Sequence, residues 1–268
     1  MSELSMNETT TFRWSFDEDV AHYTAAGIRA IGVWRQKLSD CGPSKARDLL
    51  RQAGMKVSHL LWAGGFTGSE GRSYRESVED AAEALSTTAA LEGQTLVVYS
   101  GPRAGHTYNH ARRIFRGALA ELAPRAAELG VTLAVEPMHA GCAGEWTFLN
   151  TIDDTLSLLD AVGHPRVKLV LDTYHLGLSE RLVERMAELV PYLALVQLGD
   201  ARQPPHGEQN RCRLGEGRVP LSEIVAALKA AGYDGYYDVE LLGEEIETAD
   251  YGWLLEHAKQ VYRALVES

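Results

Sequence analysis

The sequence has few of the features that mark membrane-spanning, disulfide-stabilised or nucleic-acid-binding proteins. No stretch approaches the roughly 18 consecutive apolar residues that a transmembrane helix needs. The three cysteines, Cys41, Cys142 and Cys212, are odd in number and form no CxxC pair, which argues against a disulfide framework and a structural zinc knuckle. Asp and Glu outnumber Lys and Arg by 37 to 26, so a nucleic-acid phosphate backbone would be an unfavourable partner.

These absences predict where the protein works and what it does not bind. Residues 1–11 are polar and lack the apolar segment of a signal peptide. We therefore expect a cytoplasmic protein that binds neither nucleic acid nor membrane. Residues 1–10 are interpreted as a flexible leader, and residues 11–268 as the folded part.

Beyond this leader, short β-rich runs alternate with longer segments of helical spacing, eight times along the chain. Several of the runs are almost continuously apolar, which is typical of parallel strands buried on both faces. The predicted strands span residues 11–15, 30–34, 56–62, 95–100, 132–137, 167–173, 194–198 and 236–241.

The intervening segments predict helices, and most of them end at a glycine that can act as the C-cap. Eight strand–helix units in 268 residues predict a single (β/α)₈ TIM barrel, a fold of roughly 250 residues. The rival, an open doubly wound sheet, usually has a Gly-rich phosphate loop that this sequence lacks. The predicted helices span residues 43–53, 73–91, 108–129, 152–162, 180–189, 221–231 and 251–266.

Four successive strands end in an oxygen-bearing side chain: Glu136, Asp172, Gln197 and Glu240. In a closed barrel, the carboxyl ends of neighbouring strands converge on one mouth. Burying three carboxylates together is prohibitive unless a cation neutralises them. The pattern therefore predicts one divalent metal ion with four oxygen ligands.

These strand ends resemble the xylose isomerase-like TIM-barrel superfamily over nearly the whole chain. The resemblance lies in the runs VEP at 135–137, DTYH at 172–175, QLGD at 197–200 and VEL at 239–241. It implies that Glu136, Asp172, Gln197 and Glu240 are the metal ligands, with Glu136 and Glu240 also the catalytic acid–base pair. Gln197 replaces the family's usual histidine, and the resulting all-oxygen set favours Mn²⁺ or Mg²⁺. His206, nine residues further on, is an alternative ligand.

The resemblance also implies contacts with the substrate. His175 matches the family histidine that touches a substrate oxygen. The segment NRCRLGEG at 210–217 resembles the family's NRxxPGxG loop and makes Arg211 the substrate-binding arginine, with Arg213 as a near rival. Trp62 and His139 are two further predicted contacts, because aromatic walls suit a sugar ring and His139 follows the fifth strand.

The resemblance implies an enzyme that acts on a small carbohydrate-like substrate. Our first hypothesis is a metal-dependent isomerase or epimerase of a sugar, polyol or hydroxy-ketone that works through an enediolate. The alternative, favoured by Gln197, is a metal-dependent lyase of the inosose or dehydroshikimate dehydratase kind, or an eliminating 3-oxo-sugar deglycosidase. An endonuclease IV-like enzyme and a non-catalytic barrel are weaker alternatives. A homodimer or a homotetramer is also implied.

Overall fold

The eight strands are all parallel, and each pairs with the next until β8 pairs with β1 and closes the barrel. This is seen in a computed structural model that describes residues 3–267, and it confirms the predicted (β/α)₈ TIM barrel. The strands are β1 Glu3–Asn7, β2 Ala30–Trp34, β3 Lys56–Ala63, β4 Thr95–Val98, β5 Thr132–Val135, β6 Val167–Asp172, β7 Leu193–Leu198 and β8 Tyr236–Val239.

Seven strands lie within two residues of their predicted bounds, but the prediction of the first strand is wrong. The strand is β1, Glu3–Asn7, and residues 11–15 form turns before a helix. Residues 3–10 are therefore part of the barrel and its first turn, so their assignment to a flexible leader is also wrong; residues 1 and 2 lie outside the described part. The error has a physical cause, because the side chains of β1 that face the barrel interior are polar.

These polar side chains find buried partners across the barrel. Ser5 Oγ lies 2.7 Å from Ser58 Oγ, and Asn7 Nδ2 donates to Asp238 Oδ2 at 2.9 Å. His59 completes the group, with its Nδ1 2.9 Å from Ser58 Oγ. Because each of these side chains has at least one polar partner, the interior near β1, β3 and β8 tolerates residues that a hydrophobic pattern excludes from a core.

Eleven α-helices lie between or after the strands in residues 3–267. The predicted helices at 43–53, 73–91, 108–129, 152–162, 221–231 and 251–266 are confirmed within one residue at each end. They are α1 Phe16–Ala25, α2 Arg35–Cys41, α3 Pro43–Ala53, α4 Tyr74–Ala90, α5 Tyr108–Leu129, α6 Ile152–Val162, α7 Thr173–Leu176, α8 Met186–Leu189, α9 Leu221–Ala230, α10 Glu244–Glu247 and α11 Tyr251–Glu267.

The predicted helix at 180–189 is interrupted. Arg181 takes a left-handed conformation with φ 60°, and a 3₁₀ turn at Val183–Arg185 precedes α8. Four helices, α1, α2, α7 and α10, had no predicted counterpart. α1 was missed because its N-cap, Ser15, forms a capping box with Glu18 inside the segment that was assigned to a strand.

The apolar core has two parts. The larger part fills the space between the barrel and its helices, and includes Met6 on β1 and Phe115 on α5. The smaller part lies inside the barrel, where Val97, Ala134 and Leu195 pack below the aromatic ring of Tyr99. No helix within residues 3–267 is long and apolar enough to cross a membrane.

We expect Gly32→Ala to destabilise the fold, because Gly32 leaves room for the buried polar group. A Cβ at this position would lie 2.3 Å from His59 Cε1 and 3.0 Å from Asp238 Oδ1. Since both side chains are fixed by hydrogen bonds, we expect the free energy of unfolding to fall by about 2 kcal/mol. Urea denaturation would measure the loss. Gly144→Ala is the control, since a Cβ at Gly144 meets nothing within 4 Å, and an equal loss in both variants would contradict this account.

Candidate metal and active site

The four predicted ligands lie at the carboxyl ends of neighbouring strands and are all buried. Glu136 directly follows β5, Asp172 is the last residue of β6, Gln197 is the penultimate residue of β7 and Glu240 directly follows β8. The register of the sheet pairs Asp172 with Gln197. Each side chain therefore enters the barrel mouth from its own strand.

Two contacts bring three of these side chains together. The amide Nε2 of Gln197 donates a short hydrogen bond to Glu240 Oε2. Arg211 Nη2 lies 2.8 Å from Asp172 Oδ2 and 3.7 Å from Glu240 Oε1. The carboxylates of Asp172 and Glu240 thus flank one guanidinium nitrogen.

His175, which the sequence predicted as a substrate contact, lies in the same group. Its Nε2 is 3.9 Å from Glu136 Oε1 and 3.9 Å from Asp172 Oδ2. One ligand atom from each of these three residues falls within 4.8 Å of the others, which is close enough to hold one metal ion. The sequence placed His175 near the site through its position after Asp172, and the short helix α7 turns its ring back toward that residue.

The donor atoms fit a divalent cation. Glu136 Oε2, His175 Nε2 and Gln197 Oε1 are buried and have no hydrogen-bond partner among the described residues, although buried polar atoms usually have one. The three carboxylates of the site face one arginine, which leaves two formal negative charges uncompensated. One divalent cation would neutralise the group and give the unpartnered oxygens of Glu136 and Gln197 a ligand role.

Burial dominates the electrostatics of this group. It raises the pKa of Glu136 well above its usual range, and the nearby charges of Asp172 and Glu240 raise it further. Burial also raises the pKa of Glu240 to about 7, although the positive charge of Arg211 opposes the shift. The pKa of His175 falls to about 3 because of burial, so its imidazole is neutral and free to bind a cation or accept a hydrogen bond.

Arg211 lies within a loop, residues 200–219, that folds around one carboxylate. Asp200 Oδ2 accepts hydrogen bonds from the amides of Gly215 and Gly217 at 3.0 and 2.9 Å, and its Oδ1 accepts one from Val219 at 3.1 Å. A Cβ at Gly217 would lie 2.0 Å from Asp200 Oδ1, so this position requires glycine. The loop is thereby folded back over the barrel mouth.

Arg211 is buried and fully engaged with protein groups. Its Nη1 donates to Asp172 Oδ1 at 3.1 Å, its Nη2 donates to Gln209 Oε1 at 3.0 Å, and its guanidinium stacks 4.5 Å from the centre of the Tyr174 ring. The rival Arg213 lies apart from the site, where it donates to Glu245 at 2.8 Å. Of the two predicted candidates, only Arg211 enters the barrel mouth.

An aromatic cavity of about 290 Å³ includes Glu240 among its lining residues. Trp62 lies in its wall, with its ring centre 5.0 Å from that of Trp146 and 5.7 Å from that of Tyr99. Trp34 lines it as well. Such a wall can pack against the apolar face of a sugar or cyclic polyol ring.

A wider entrance of about 760 Å³ adjoins this cavity and shares Trp146 and Gln209 with it. His206 is exposed in this entrance and lies outside the metal-binding group. His139 lines neither cavity; its Nδ1 accepts from the amide of Gly141 at 3.1 Å. His139 thus shapes the turn after β5, and its contact with a substrate stays a prediction.

Sequence reasoning missed three residues of the site: Thr9, Tyr99 and Gln209. Thr9 was assigned to the leader, although it lines the aromatic cavity beside Glu240. Tyr99 follows the fourth strand, and the position of a tyrosine after an apolar run was the signal that could have revealed it. Gln209 directly precedes the NR pair of the 210–217 loop, but nothing in its type marks it as a partner of Arg211.

Solved structures share this architecture over the full chain. Protein SMc04130 from Sinorhizobium meliloti 1021 is 26% identical, with a TM-score of 0.91 and 99% of both chains covered. The IOLI protein, solved with a bound zinc atom, is 20% identical, with a TM-score of 0.85 and 99% of this chain and 98% of that one covered. At that identity, the second likeness shows the fold alone.

The curated relatives are sugar epimerases and isomerases, matched over part of their length. D-psicose 3-epimerase of Enterocloster bolteae is 35% identical over 44% of this chain and 36% of the relative. L-ribulose 3-epimerase of Methylomonas sp. is 31% identical over 55% of this chain and 47% of the relative. Inosose isomerase of Halalkalibacterium halodurans is 27% identical over 47% of this chain and 45% of the relative. The chain thus spans less than half the length of each of these relatives.

The family match covers almost the whole barrel. Residues 20–263 match the sequence profile described as xylose isomerase-like TIM barrel. The match includes β2 to β8 and therefore all four strands that end in the predicted ligands. The chain belongs to the xylose isomerase-like TIM-barrel family.

Proposed function

We propose that the protein is a divalent-metal-dependent isomerase or epimerase of a sugar, polyol or hydroxy-ketone. The observation that carries the proposal is the pair of buried glutamates, Glu136 and Glu240, near Asp172, with Glu240 lining an aromatic cavity. The relatives that are ketose 3-epimerases and inosose isomerases support the same reaction class. Fold alone would not support it, because this barrel hosts many chemistries.

In this proposal, Glu136, Asp172, Gln197 and Glu240 hold one divalent cation. When bound, the cation supplies positive charge that stabilises a developing negative charge on a substrate oxygen. The four side chains offer oxygen ligands, which favours Mn²⁺ or Mg²⁺ over Zn²⁺. His175 is neutral, and its unpartnered Nε2 is available to contact a substrate oxygen.

Glu136 and Glu240 move the proton. One glutamate removes the proton from the carbon next to the substrate carbonyl, and the other returns a proton. Return to the opposite face of the same carbon gives epimerisation, and return to the neighbouring carbon gives aldose–ketose isomerisation. Burial raises the pKa of Glu240 to about 7 in the metal-free protein, and a bound cation would lower it by favouring the carboxylate that accepts the proton.

The surrounding residues orient the reacting groups. Arg211 holds Asp172 and, through the Glu240 carbonyl oxygen at 3.3 Å, the end of β8. Its direct contact with substrate stays a prediction. Trp62 and the neighbouring rings cover the ring of the substrate and exclude water, which strengthens the electrostatic interactions inside the cavity.

Incubation of the manganese-loaded protein with unphosphorylated ketoses in D₂O tests the proposal. We expect an epimer or aldose with unchanged formula and one incorporated deuterium, detected by mass spectrometry and NMR. Glu136→Gln and Glu240→Gln keep the size of each side chain but cannot exchange the proton, so we expect at least about 10³-fold lower kcat in each.

Glu244→Gln, an exposed residue at the entrance, is the matched control and should retain wild-type kcat. Loss of water or of an aglycone would instead identify the lyase that Gln197 favours. Full activity of both glutamine variants at Glu136 and Glu240 would show that the acid–base assignment is wrong.

The stability of the metal-free protein should fall as pH rises. A raised carboxyl pKa means that the folded state holds the proton more tightly than the unfolded chain, so the stabilisation is fully present below the ordinary value of 4.5 and is lost as pH rises through about 7. For Glu240 alone we expect a loss of about 3 kcal/mol. Mn²⁺ should offset the loss increasingly with pH, since it competes with protons for the same oxygens.

Urea denaturation of chelated and Mn²⁺-loaded protein at about pH 5 and about pH 7.5 would measure this effect. Glu240→Gln is the control, because it cannot titrate and should show a smaller fall. An unfolding free energy that does not respond to Mn²⁺ at the higher pH would count against a metal site in this group.

Phosphorylated sugars should be poor substrates. In the described chain, no lysine or arginine lines the wide entrance, whereas four glutamates do. None of the four forms an ion pair with a described residue, and each would repel a phosphate. They are Glu145, Glu208, Glu244 and Glu247.

We expect kcat/KM for a ketose phosphate to be at least about 10²-fold below that of the parent ketose. The ratio of these two kcat/KM values should shrink about tenfold when all four glutamates are replaced by glutamine. Steady-state kinetics at low salt would measure both values. The charge-matched control changes four glutamates on the outer helices, Glu83, Glu121, Glu223 and Glu256. An unchanged ratio of the two kcat/KM values in the entrance variant would exclude electrostatic selection against phosphate by these four glutamates.

A further inference from the structure

The ladder between β1 and β8 ends just before Glu240. Its last pair joins Met6 to Val239, after which the chain turns away from the sheet. Glu240 itself is held on the other side, where its amide donates to the Leu198 carbonyl at 3.1 Å. The amide of Leu241 lies beyond this last pair and has no residue of β1 opposite it in the ladder, and a buried peptide group needs a hydrogen-bond partner.

The side chain of Thr10 takes over this role. Its Oγ1 donates to the carbonyl oxygen of Val239 at 3.2 Å and accepts from the amide of Leu241 at 2.9 Å. One buried hydroxyl therefore links the peptide groups on both sides of Glu240. It extends the hydrogen bonding of β8 beyond the point at which the strand pairing stops.

The turn that carries Thr10 is fixed to the neighbouring strand as well. The amide of Glu8 donates to the Gly32 carbonyl at 3.0 Å. The side-chain Oε2 of Glu8 accepts from the amide of Trp34 at 2.7 Å. The turn is thus anchored to β2 on one side and to β8 on the other. A hydroxyl held in this way has little freedom to move.

Thr9 adds a contact to the Glu240 side chain. Its amide and its hydroxyl lie 3.0 and 2.8 Å from Asn7 Oδ1, and Asn7 is in turn held by Asp238. Burial raises the pKa of Glu240, and the nearby hydroxyl of Thr9 opposes this shift. Thr10 thus holds the backbone of Glu240, while Thr9 approaches its carboxylate.

We propose that Thr10 is a positioning residue that fixes Glu240 for proton transfer and metal binding. The proposal rests on the proposed function of Glu240. Thr10 acts only through the backbone of β8, so it is not itself catalytic. A shift of a reacting group by about 1 Å can lower a rate by about 10²-fold, which makes the loss of one such anchor measurable.

Thr10→Val, Thr10→Ala and Thr10→Ser test the proposal. Valine keeps the shape but removes the hydroxyl, alanine also avoids crowding if the valine variant does not fold, and serine restores the hydroxyl. For valine and alanine we expect kcat to fall about ten- to a hundredfold with KM within about threefold, and serine to recover kcat within about threefold. In the same variants, the amide of Leu241 should exchange with D₂O at least about tenfold faster in the metal-free protein.

Thr11→Val is the matched control. Thr11 is the next residue and is also buried, but its hydroxyl donates to Asp19 Oδ1 at 2.6 Å, away from β8. We expect it to lower overall stability while kcat stays within about threefold and the Leu241 amide keeps its relative protection.

Unchanged Leu241 exchange in Thr10→Val and Thr10→Ala, or an equal fall in kcat in Thr11→Val, would overturn the proposal. Wild-type protein that converts no ketose would instead refute the proposed function. The exchange measurement would still decide whether Thr10 holds the end of β8.

Discussion

The site depends on the balance of charge in the closed mouth of the barrel. Three carboxylates, Glu136, Asp172 and Glu240, are buried around one arginine, and burial of unpaired charge is expensive. The rest of the site reduces the free-energy cost of burying these charges. Asp200 folds the long loop so that Arg211 can reach in, and the remaining two negative charges match the charge of the divalent cation that we propose.

The sequence predicts the positions of these side chains well because the geometry of the barrel requires little further information. Parallel strands put their carboxyl ends at one face, so a polar residue after an apolar run must lie at the mouth. Asp172 and Gln197 are paired in the sheet as that argument requires. The prediction needs only the strand ends, and those were correct within two residues for seven strands.

The prediction failed where a side chain has partners that are distant in sequence. Ser5 and Asn7 on β1 look like residues of a solvated leader, yet they are buried because Ser58 and Asp238 stand opposite them. The depth of Arg211 likewise depends on Asp200, through a loop whose fold no local periodicity records. Hydrophobic patterning detects burial in apolar surroundings, and it cannot detect polar groups that satisfy each other.

Gln197 illustrates both points, since the strand pattern predicts its position but not its contact with Glu240. An amide offers a donor and an acceptor on one planar group. Its Nε2 donates to Glu240, while its Oε1 has no partner among the described residues. In the proposed function, this oxygen would bind the cation while the nitrogen orients the glutamate that moves the proton. In that proposal, the glutamine that stands at the position of the family's usual histidine would link the metal and the acid–base pair through one side chain.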